Sequence, residues 1–357
     1  MSELTLMKGN EALAEAAIRA GCKCFFGYPI TPQTEISAYL SKRMPKVGGV
    51  FLQAESEVAA INMVYGCAGS GIRCMTSSSS PGISLKTEGI SYIAGADLPC
   101  VIINVQRGGP GLGGIQPSQA DYWQVTRALG HGDFHVLVFA PSTVQEMADT
   151  VTKAFDLADK YRMPAVILAD GLLGQMMEPV AFDENAEIKL SDASGKPWAA
   201  TGHGNKREHN IINSLYLQAA ELEDKVRKRF ERYEQVKANE TMAESYKCDD
   251  AEIVVAAYGS TARLAKSAVE LARKEGIKAG VFRPITLWPY PVKEINESCG
   301  NAKKVLVVEM SMGQMVDDVK LALNCSVPVE FFGRTGGVIP SPAEILNKIK
   351  EMIGGDK

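Results

Sequence analysis

Apolar residues recur along the first 180 positions in two alternating rhythms. Residues 8–20, KGNEALAEAAIRA, repeat at helical spacing and stop at Gly21. The run CKCFFG reads as a strand and ends in the turn Tyr28-Pro29-Ile30. Thr31 has the chemistry of an N-cap and Pro32 suits a first helical position, predicting a helix with Ile36, Tyr39, Leu40 and Met44 on one face. GVFLQA reads as the next strand, and Glu55 to Ala68 as a helix turning Val58, Ile61 and Tyr65 inward. IRCMTS, PCVIINVQR, HVLVFA and PAVILAD are further strands. Between them lie a loop SSSSPG, a helix ISLKTEGISYIAG, a Gly-rich loop RGGPGLGGIQPSQADY, and a helix opening on the capping box Ser142-x-x-Gln145. Strands and helices in this alternation predict an α/β fold with a parallel sheet covered on both faces.

Residues 181–250 break the rhythm. A polar stretch with scattered Gly and Pro leads into AELEDKVRKRFERYEQVKANE, a helix of alternating charge sign that reads as a solvated face or partner contact. The pattern resumes at Glu252 with strands IVVAAYG, KAGVFRP, KKVLVVEM and VPVEFFG and a closing helix PAEILNKIKEMI. The expected division is therefore 1–180, a linker and charged arm at 181–250, and a smaller α/β unit at 251–357. No internal repeat is visible.

Composition narrows the setting. The 357 residues are 46% hydrophobic and carry 38 basic against 42 acidic side chains, a net charge of −4 that offers no basic field for nucleic acid. No uninterrupted apolar run approaches the roughly 18 residues of a membrane span, and the first residues lack a basic-then-apolar leader, so a cytoplasmic protein without a membrane partner is expected. The eight cysteines form no C-x-x-C pair and mostly sit in apolar runs, which fits buried free thiols better than a zinc or iron–sulfur site.

The chemistry-bearing candidates cluster where open α/β sheets place ligands, at strand ends. Thr31 stands at a predicted helix start that favours an anion, Glu57 opens a helix after GVFLQA, and Arg107 leaves PCVIINVQ for the Gly-rich loop. A substrate carboxylate held by Thr31 and Arg107 would leave Glu57 for proton transfer. The plainer reading has Glu57 as a helix-dipole partner and Arg107 as a surface charge. Ser77 to Ser80 reads equally well as a ligand-facing strand end or a plain turn. The Gly-rich loop is neither G-x-G-x-x-G after the first strand nor a P-loop, and suits a mobile or tight loop near a ligand. Four histidines without H-x-x-x-H spacing, and no G-x-S-x-G, argue against a histidine-bound metal and a serine hydrolase.

Tyr28-Pro29-Ile30-Thr31-Pro32, Glu57 in SEVAAINMVYG and Arg107 after LPCVIINVQ together resemble the pyrimidine-binding region of 2-oxoacid:ferredoxin oxidoreductases, which use thiamine diphosphate. FRPITLWPYP and VLVVEMSMGQM are similar to that family's second domain, of transketolase C-terminal type. The resemblance covers nearly the whole chain and weakens only between about 183 and 250. It implies a parallel-sheet pyrimidine-binding domain followed by a smaller α/β domain. It puts on Glu57 the hydrogen bond to ring nitrogen N1′ of the cofactor, and on Thr31 and Arg107 the substrate carboxylate. Tyr28 and Ile30 would line the substrate, and Pro29, Ser79 and Ser80 the cofactor. The loop RGGPGLGGIQPSQADY looks most like α subunits acting on branched-chain 2-oxoacids such as 3-methyl-2-oxobutanoate, with 2-oxoglutarate as the alternative substrate. A non-catalytic assembly subunit and a transketolase-like transferase are the other readings.

A thiamine pyrophosphate motif, G-D-G with a later Asn pair, is missing; Ala169-Asp170-Gly171 is its nearest approach. The resemblance therefore implies a β subunit carrying pyrophosphate and Mg²⁺, a γ subunit, and a ferredoxin-like δ subunit, with iron–sulfur clusters on these partners. Coenzyme A and ferredoxin would be co-substrates, and this chain alone would be inactive.

Overall fold

The computed structural model describes residues 4–183 and 186–354. The first stretch holds β1 (Leu4–Lys8), α1 (Gly9–Arg19), β2 (Cys24–Gly27), α2 (Thr34–Arg43), β3 (Val50–Gln53), α3 (Glu57–Gly69), β4 (Cys74–Ser78), α4 (Ser80–Gly95) and β5 (Cys100–Gln106). It continues through α5 (Tyr122–Thr126), β6 (Leu137–Phe139), α6 (Val144–Tyr161), β7 (Pro164–Asp170), α7 (Gly171–Gln175) and β8 (Met177–Ala181). After a long irregular segment come α8 (Ala219–Asn239), β9 (Ala243–Tyr246), β10 (Ile253–Ala256), α9 (Gly259–Lys274), β11 (Ala279–Pro284) and β12 (Thr286–Trp288). The chain closes with α10 (Val292–Ser298), β13 (Lys304–Glu309), α11 (Met315–Leu323), β14 (Val329–Gly333) and α12 (Pro342–Gly354).

A seven-stranded sheet runs in the order β12-β6-β7-β5-β4-β2-β3. It is parallel except for β12, which pairs antiparallel with β6 after the chain has left this sheet. Every residue of β4, β5, β6 and β7 is buried, the signature of strands covered on both faces, as their unbroken apolar runs require. The second sheet, β14-β13-β10-β11-β9, is parallel apart from β9. Its strands alternate with period two. Ile253, Val255, Val281, Leu306 and Val308 share a core with residues of α9 and α12, whereas Val254, Ala256, Phe282, Val305 and Val307 belong to the large core that also fills the first sheet.

Several details depart from the sequence reading. β1, not anticipated, pairs antiparallel with β8. Thr31 does not cap α2, which begins at Thr34. The carbonyls of residues 31 and 32 are taken by the side chains of Arg107 and Asn10, at 3.0 and 2.8 Å, so the chain is held in a turn rather than starting a helix. On α3 the buried face is Glu57, Ala60, Ile61, Val64 and Ala68; Val58 points outward and Tyr65 is half-buried. The capping box of α6 is shifted by one residue: Thr143 Oγ1 accepts from Glu146 N–H, and the Glu146 carboxylate accepts from Ser142 N–H. Of the thiols, Cys325 is exposed.

The segment read as an arm straps the amino-terminal edge of the first sheet. Ser191 N–H bonds Gly21 O, Ala200 N–H bonds Gly69 O, and Lys196 pairs with Asp159. α8 then seats one face, with Arg229 buried and paired to Asp97 at 2.9 Å and Tyr233 donating to His135 O. The opposite, carboxyl edge of the sheet is left clear of this strap.

Candidate active site

In a parallel sheet the strand carboxyl ends share one edge. The chain steps from β2 outward to β3, then returns past β2 to β4, so the topological switch lies between β2 and β4. Residues 28–31 follow β2, Glu57 follows β3, Ser79 and Ser80 follow β4, and Arg107 follows β5. The fold therefore brings every sequence-derived candidate to this edge.

Glu57 is the first residue of α3, whose N-cap Ser56 accepts from Ala59 N–H at 3.1 Å. Its side chain is only 6% exposed, yet among the described residues its carboxylate has no hydrogen-bond partner. Gly82 explains how it fits. A Cβ at residue 82 would lie 2.1 Å from Ser78 Oγ and 2.6 Å from Glu57 Oε1, so α4 can pass here only with glycine. The hydroxyls of Ser78 and Ser79 are also buried without a partner. Buried polar groups are ordinarily bonded, so such a concentration at one strand end marks a place prepared for a polar ligand.

Arg107 is buried, not a surface charge. Nη1 donates to Thr31 O at 3.0 Å and Nη2 to Leu112 O at 3.2 Å, while Nε has no partner. Its backbone is fixed by a relay: Arg107 N–H donates to Ser80 Oγ, and Ser80 Oγ–H donates to Asp121 at 2.6 Å. Asp121 also accepts from Asn104; burial raises its pKa, against which those two donors act. The hydroxyl of Ser80 is thus committed to holding Arg107, and that of Ser79 is free to meet a ligand. Asn104 and Asp121 were not found from sequence, because a short polar residue inside a strand, or at the loop end that leads into α5, carries no pattern of its own.

The Gly-rich loop folds back on itself: Gly114 N–H reaches Gly108 O at 2.9 Å, and Gly113 sits at φ +55° where a side chain would strike Gly108 O. Gln119 then pins the loop's exit to the second unit. Its side chain donates to Tyr258 O and accepts from Thr261 Oγ1 and Met310 N–H, while its backbone N–H donates to Met310 O. Met310 follows Glu309, whose buried carboxylate takes the N–H groups of Gln314, Met315 and Val316 at the start of α11.

Tyr28, Pro29 and Thr31 are exposed and Ile30 is half-buried. Leu112 and Ile115 on the Gly-rich loop are exposed too. Beside Thr31 a cavity of about 760 Å³ is lined by Pro32, Ile115, Pro117, Leu172, Met176 and Ile339, among others. Among the described residues no helix is long and apolar enough to cross a membrane.

Residues 15–245 match the family described as pyruvate flavodoxin/ferredoxin oxidoreductase, thiamine diphosphate-binding, and residues 251–345 match pyruvate:ferredoxin oxidoreductase core domain II. The chain belongs to this oxidoreductase family. Over 98% of both chains it is 50% identical to a ketoisovalerate oxidoreductase subunit, VorB, of Methanothermobacter thermautotrophicus. Identity to a 2-oxoglutarate synthase subunit, KorA, of Methanothermobacter marburgensis is 36%, covering 99% of this chain and 100% of that one. A solved 2-oxoglutarate:ferredoxin oxidoreductase from Magnetococcus marinus, with 2-oxoglutarate, coenzyme A and succinyl-CoA bound, superposes with a TM-score of 0.84 at 28% identity; the alignment covers 99% of this chain and 66% of that one. As a member of this oxidoreductase family the chain is one subunit of a heteromeric enzyme, and its first unit is of the thiamine diphosphate-binding type.

Proposed function

We propose that the chain is the α subunit of a thiamine diphosphate-dependent oxidoreductase that decarboxylates a branched-chain 2-oxoacid, 3-methyl-2-oxobutanoate, with coenzyme A, giving acyl-CoA, CO₂ and reduced ferredoxin. The observation that carries the substrate is the 50% identity to a ketoisovalerate oxidoreductase subunit along almost the entire chain, against 36% for a 2-oxoglutarate synthase subunit. The residues present fit the cofactor's pyrimidine end: the largely buried Glu57, whose carboxylate no described residue bonds, unpartnered hydroxyls at Ser78 and Ser79, and space kept by Gly82. Bound there, thiamine diphosphate supplies the carbon nucleophile that adds to the 2-oxo carbon and takes up the electron pair released with CO₂.

The remaining work falls to side chains of this subunit. Glu57 shares a proton with ring nitrogen N1′, the work of a carboxylate positioned as a general acid–base group. Arg107, with Nε unpartnered and its backbone fixed by Ser80 and Asp121, holds the substrate carboxylate together with Thr31. Fixing that carboxylate orients the bond that breaks. Tyr28 and Ile30 line the substrate, and Pro29, Ser79 and Ser80 border the cofactor, Ser80 by positioning Arg107.

A thiamine-binding β subunit supplies pyrophosphate contacts and Mg²⁺, and γ and ferredoxin-like δ subunits complete a cytoplasmic complex that carries the iron–sulfur clusters. In support, Asp170, the nearest counterpart of a pyrophosphate-site aspartate, turns inward, accepting from Leu172 N–H, Leu173 N–H and Ser260 Oγ–H. The exposed Tyr28, Leu112 and Ile115 at the site's mouth suit a partner surface. Within the chain, 1–180 is the pyrimidine-binding domain, 181–250 the arm and 251–357 the transketolase C-terminal-like domain. The test is co-expression with the thiamine-binding partner and assay of viologen reduction with coenzyme A. Turnover should be highest with 3-methyl-2-oxobutanoate and abolished in Glu57→Gln. Preference for 2-oxoglutarate would replace the substrate, and full activity in Glu57→Gln would overturn the site.

A further inference from the structure

The cavity beside Thr31 forms where three strand ends of the first sheet meet one loop of the second unit. Thr31 and Glu35 come from the turn and helix after β2, Ile115 and Pro117 from the loop after β5, Leu172 from α7 after β7, and Ile339 from the loop ahead of α12. Gly171 lets these segments close up: a Cβ there would lie 3.3 Å from Pro32 Cγ and 3.6 Å from Ile115 O. Gly337 locks the second unit's loop in place, since at φ +93° a Cβ would fall 2.3 Å from Gln116 Cβ. Arg107 Nη1 bonds the carbonyl of Thr31 at 3.0 Å, and Thr31 is itself part of the cavity wall. A substrate whose carboxylate lies on Arg107 and Thr31 therefore has this space beside it.

The wall is mainly apolar, and its volume of about 760 Å³ is that of a small-molecule pocket. Among the described residues that line it none is basic, and Glu35 is the one acid. Glu35 Oε2 accepts from Asn10 Nδ2 at 2.9 Å and from Gln175 Nε2 at 2.8 Å. Both donors also reach Pro32 O, at 2.8 and 3.2 Å, so the carboxylate is tied to the turn that carries Thr31. Oε1 pairs at 3.2 Å with Lys8, which does not line the cavity. Burial acts to raise the Glu35 pKa, but the bonds from Asn10, Gln175 and Lys8 hold it below its ordinary value, and the group is charged at neutral pH. An aliphatic chain gains by entering such a space. A second carboxylate would lose water, meet a like charge and find no cation in the wall.

We propose that this cavity takes the aliphatic side chain of the 2-oxoacid, and that Glu35 on its wall turns away a second carboxylate. The proposal rests on the assignment of Thr31 and Arg107 to the substrate carboxylate made above. Leu172 and Ile339 then set the acyl-chain preference, and Ile339 gives the second unit a direct part in substrate choice.

The experiment measures kcat/KM of the reconstituted complex for pyruvate, 4-methyl-2-oxopentanoate and 2-oxoglutarate, so that a general loss of activity cancels in the ratios. Glu35→Gln keeps an oxygen for Asn10 and Gln175 but removes the charge and leaves the Lys8 ammonium without its acid. It should raise 2-oxoglutarate relative to 4-methyl-2-oxopentanoate by at least about tenfold. Leu172→Lys, which sets an ammonium in the wall, should do the same. Ile339→Ala should lower 4-methyl-2-oxopentanoate relative to pyruvate by about tenfold, the scale of lost methylene contacts in an apolar pocket. The complex is also assembled with this chain carrying ¹³C at its isoleucine δ1 methyls, the Ile339 resonance being assigned by its loss in Ile339→Ala. Titration with 4-methyl-2-oxopentanoate should shift that resonance, and 2-oxoglutarate should not. Ratios that stay put in all three variants, with an unmoved Ile339 methyl, overturn the proposal. A methyl that shifts with 4-methyl-2-oxopentanoate in a complex that turns over no 2-oxoacid upholds the aliphatic cavity, and the proposed reaction falls instead.

Discussion

Arg107 Nη1 donates to the carbonyl oxygen of Thr31, a bond of 3.0 Å across 76 positions of sequence that ties the turn after β2 to the end of β5. The same guanidinium reaches Leu112 O on the Gly-rich loop and keeps Nε without a partner. Arg107 therefore both builds the mouth of the site and presents a donor into it. Arg107→Ala should raise the KM for 2-oxoacid by about 10- to 100-fold, the loss of a charge-assisted hydrogen bond worth about 1.5–3 kcal/mol. Arg107→Lys should recover little, because an ammonium cannot reproduce the planar fork that serves Thr31, Leu112 and a substrate carboxylate together. Steady-state kinetics of the reconstituted complex decide it; an unchanged KM for every 2-oxoacid tried removes Arg107 from carboxylate binding.

Gly82 offers a separate check on where the cofactor lies. Its missing Cβ is the space between Ser78 Oγ and Glu57 Oε1, so Gly82→Ala must displace one or both. The expected result is at least a tenfold weaker affinity for thiamine diphosphate, measured as the concentration that half-restores activity to the cofactor-depleted complex. Gly66→Ala on the exposed side of α3, where a Cβ meets nothing within 4 Å, is the control and should leave that affinity unchanged. Equal affinities in both variants would place the pyrimidine elsewhere.

The alternation of apolar strands and amphipathic helices made the parallel sheet legible, because strands buried on both faces need unbroken apolar runs. Glu57 and Arg107 were legible as residues at strand ends, and the resemblance of their spacing supplied roles. Their support was not. Asn104, Asp121 and Gln119 matter through partners between 15 and 191 residues away, which no local period encodes. Thr31 shows the same limit from the other side. Its dipeptide with Pro32 has ideal helix-start chemistry, and long-range bonds from Arg107 and Asn10 to the carbonyls of 31 and 32 override it. β12 joins a sheet that the chain had left more than a hundred residues earlier, a pairing set by tertiary packing alone.

Gln119 is the joint through which the second unit steadies the Gly-rich loop. Its side chain and backbone bond Tyr258, Thr261 and Met310, and all of these groups are buried. Gln119→Ala leaves Thr261 Oγ–H and Met310 N–H without their acceptor, at a cost of about 1–3 kcal/mol for each buried group left unsatisfied. Thermal unfolding should register the loss, and the KM for 2-oxoacid should rise as the loop loosens around Arg107. A destabilised variant with wild-type KM would show that the joint serves stability only.

The two units are also clamped by charge, and that clamp has a predictable pH dependence. Arg283 on β11 is buried and grips Glu146 on α6 with both arms, Nη1 to Oε2 at 2.7 Å and Nη2 to Oε1 at 2.9 Å. Burial acts to raise the Glu146 pKa, but the Arg283 bonds and the Ser142 N–H outweigh it and hold the carboxyl below its ordinary value. A carboxyl whose folded pKa is depressed stabilises the fold fully above its unfolded pKa, about 4.3, and loses that contribution as pH falls through the folded value. Thermal unfolding of the wild type and Glu146→Gln should therefore differ by a constant interval from pH 7 to about 5, and the interval should close as the pH is taken below about 4. Since Arg283 stays charged throughout, the narrowing belongs to Glu146. An interval that persists undiminished to pH 3 would mean that Glu146 acts through its hydrogen bonds to Ser142 and not through its charge.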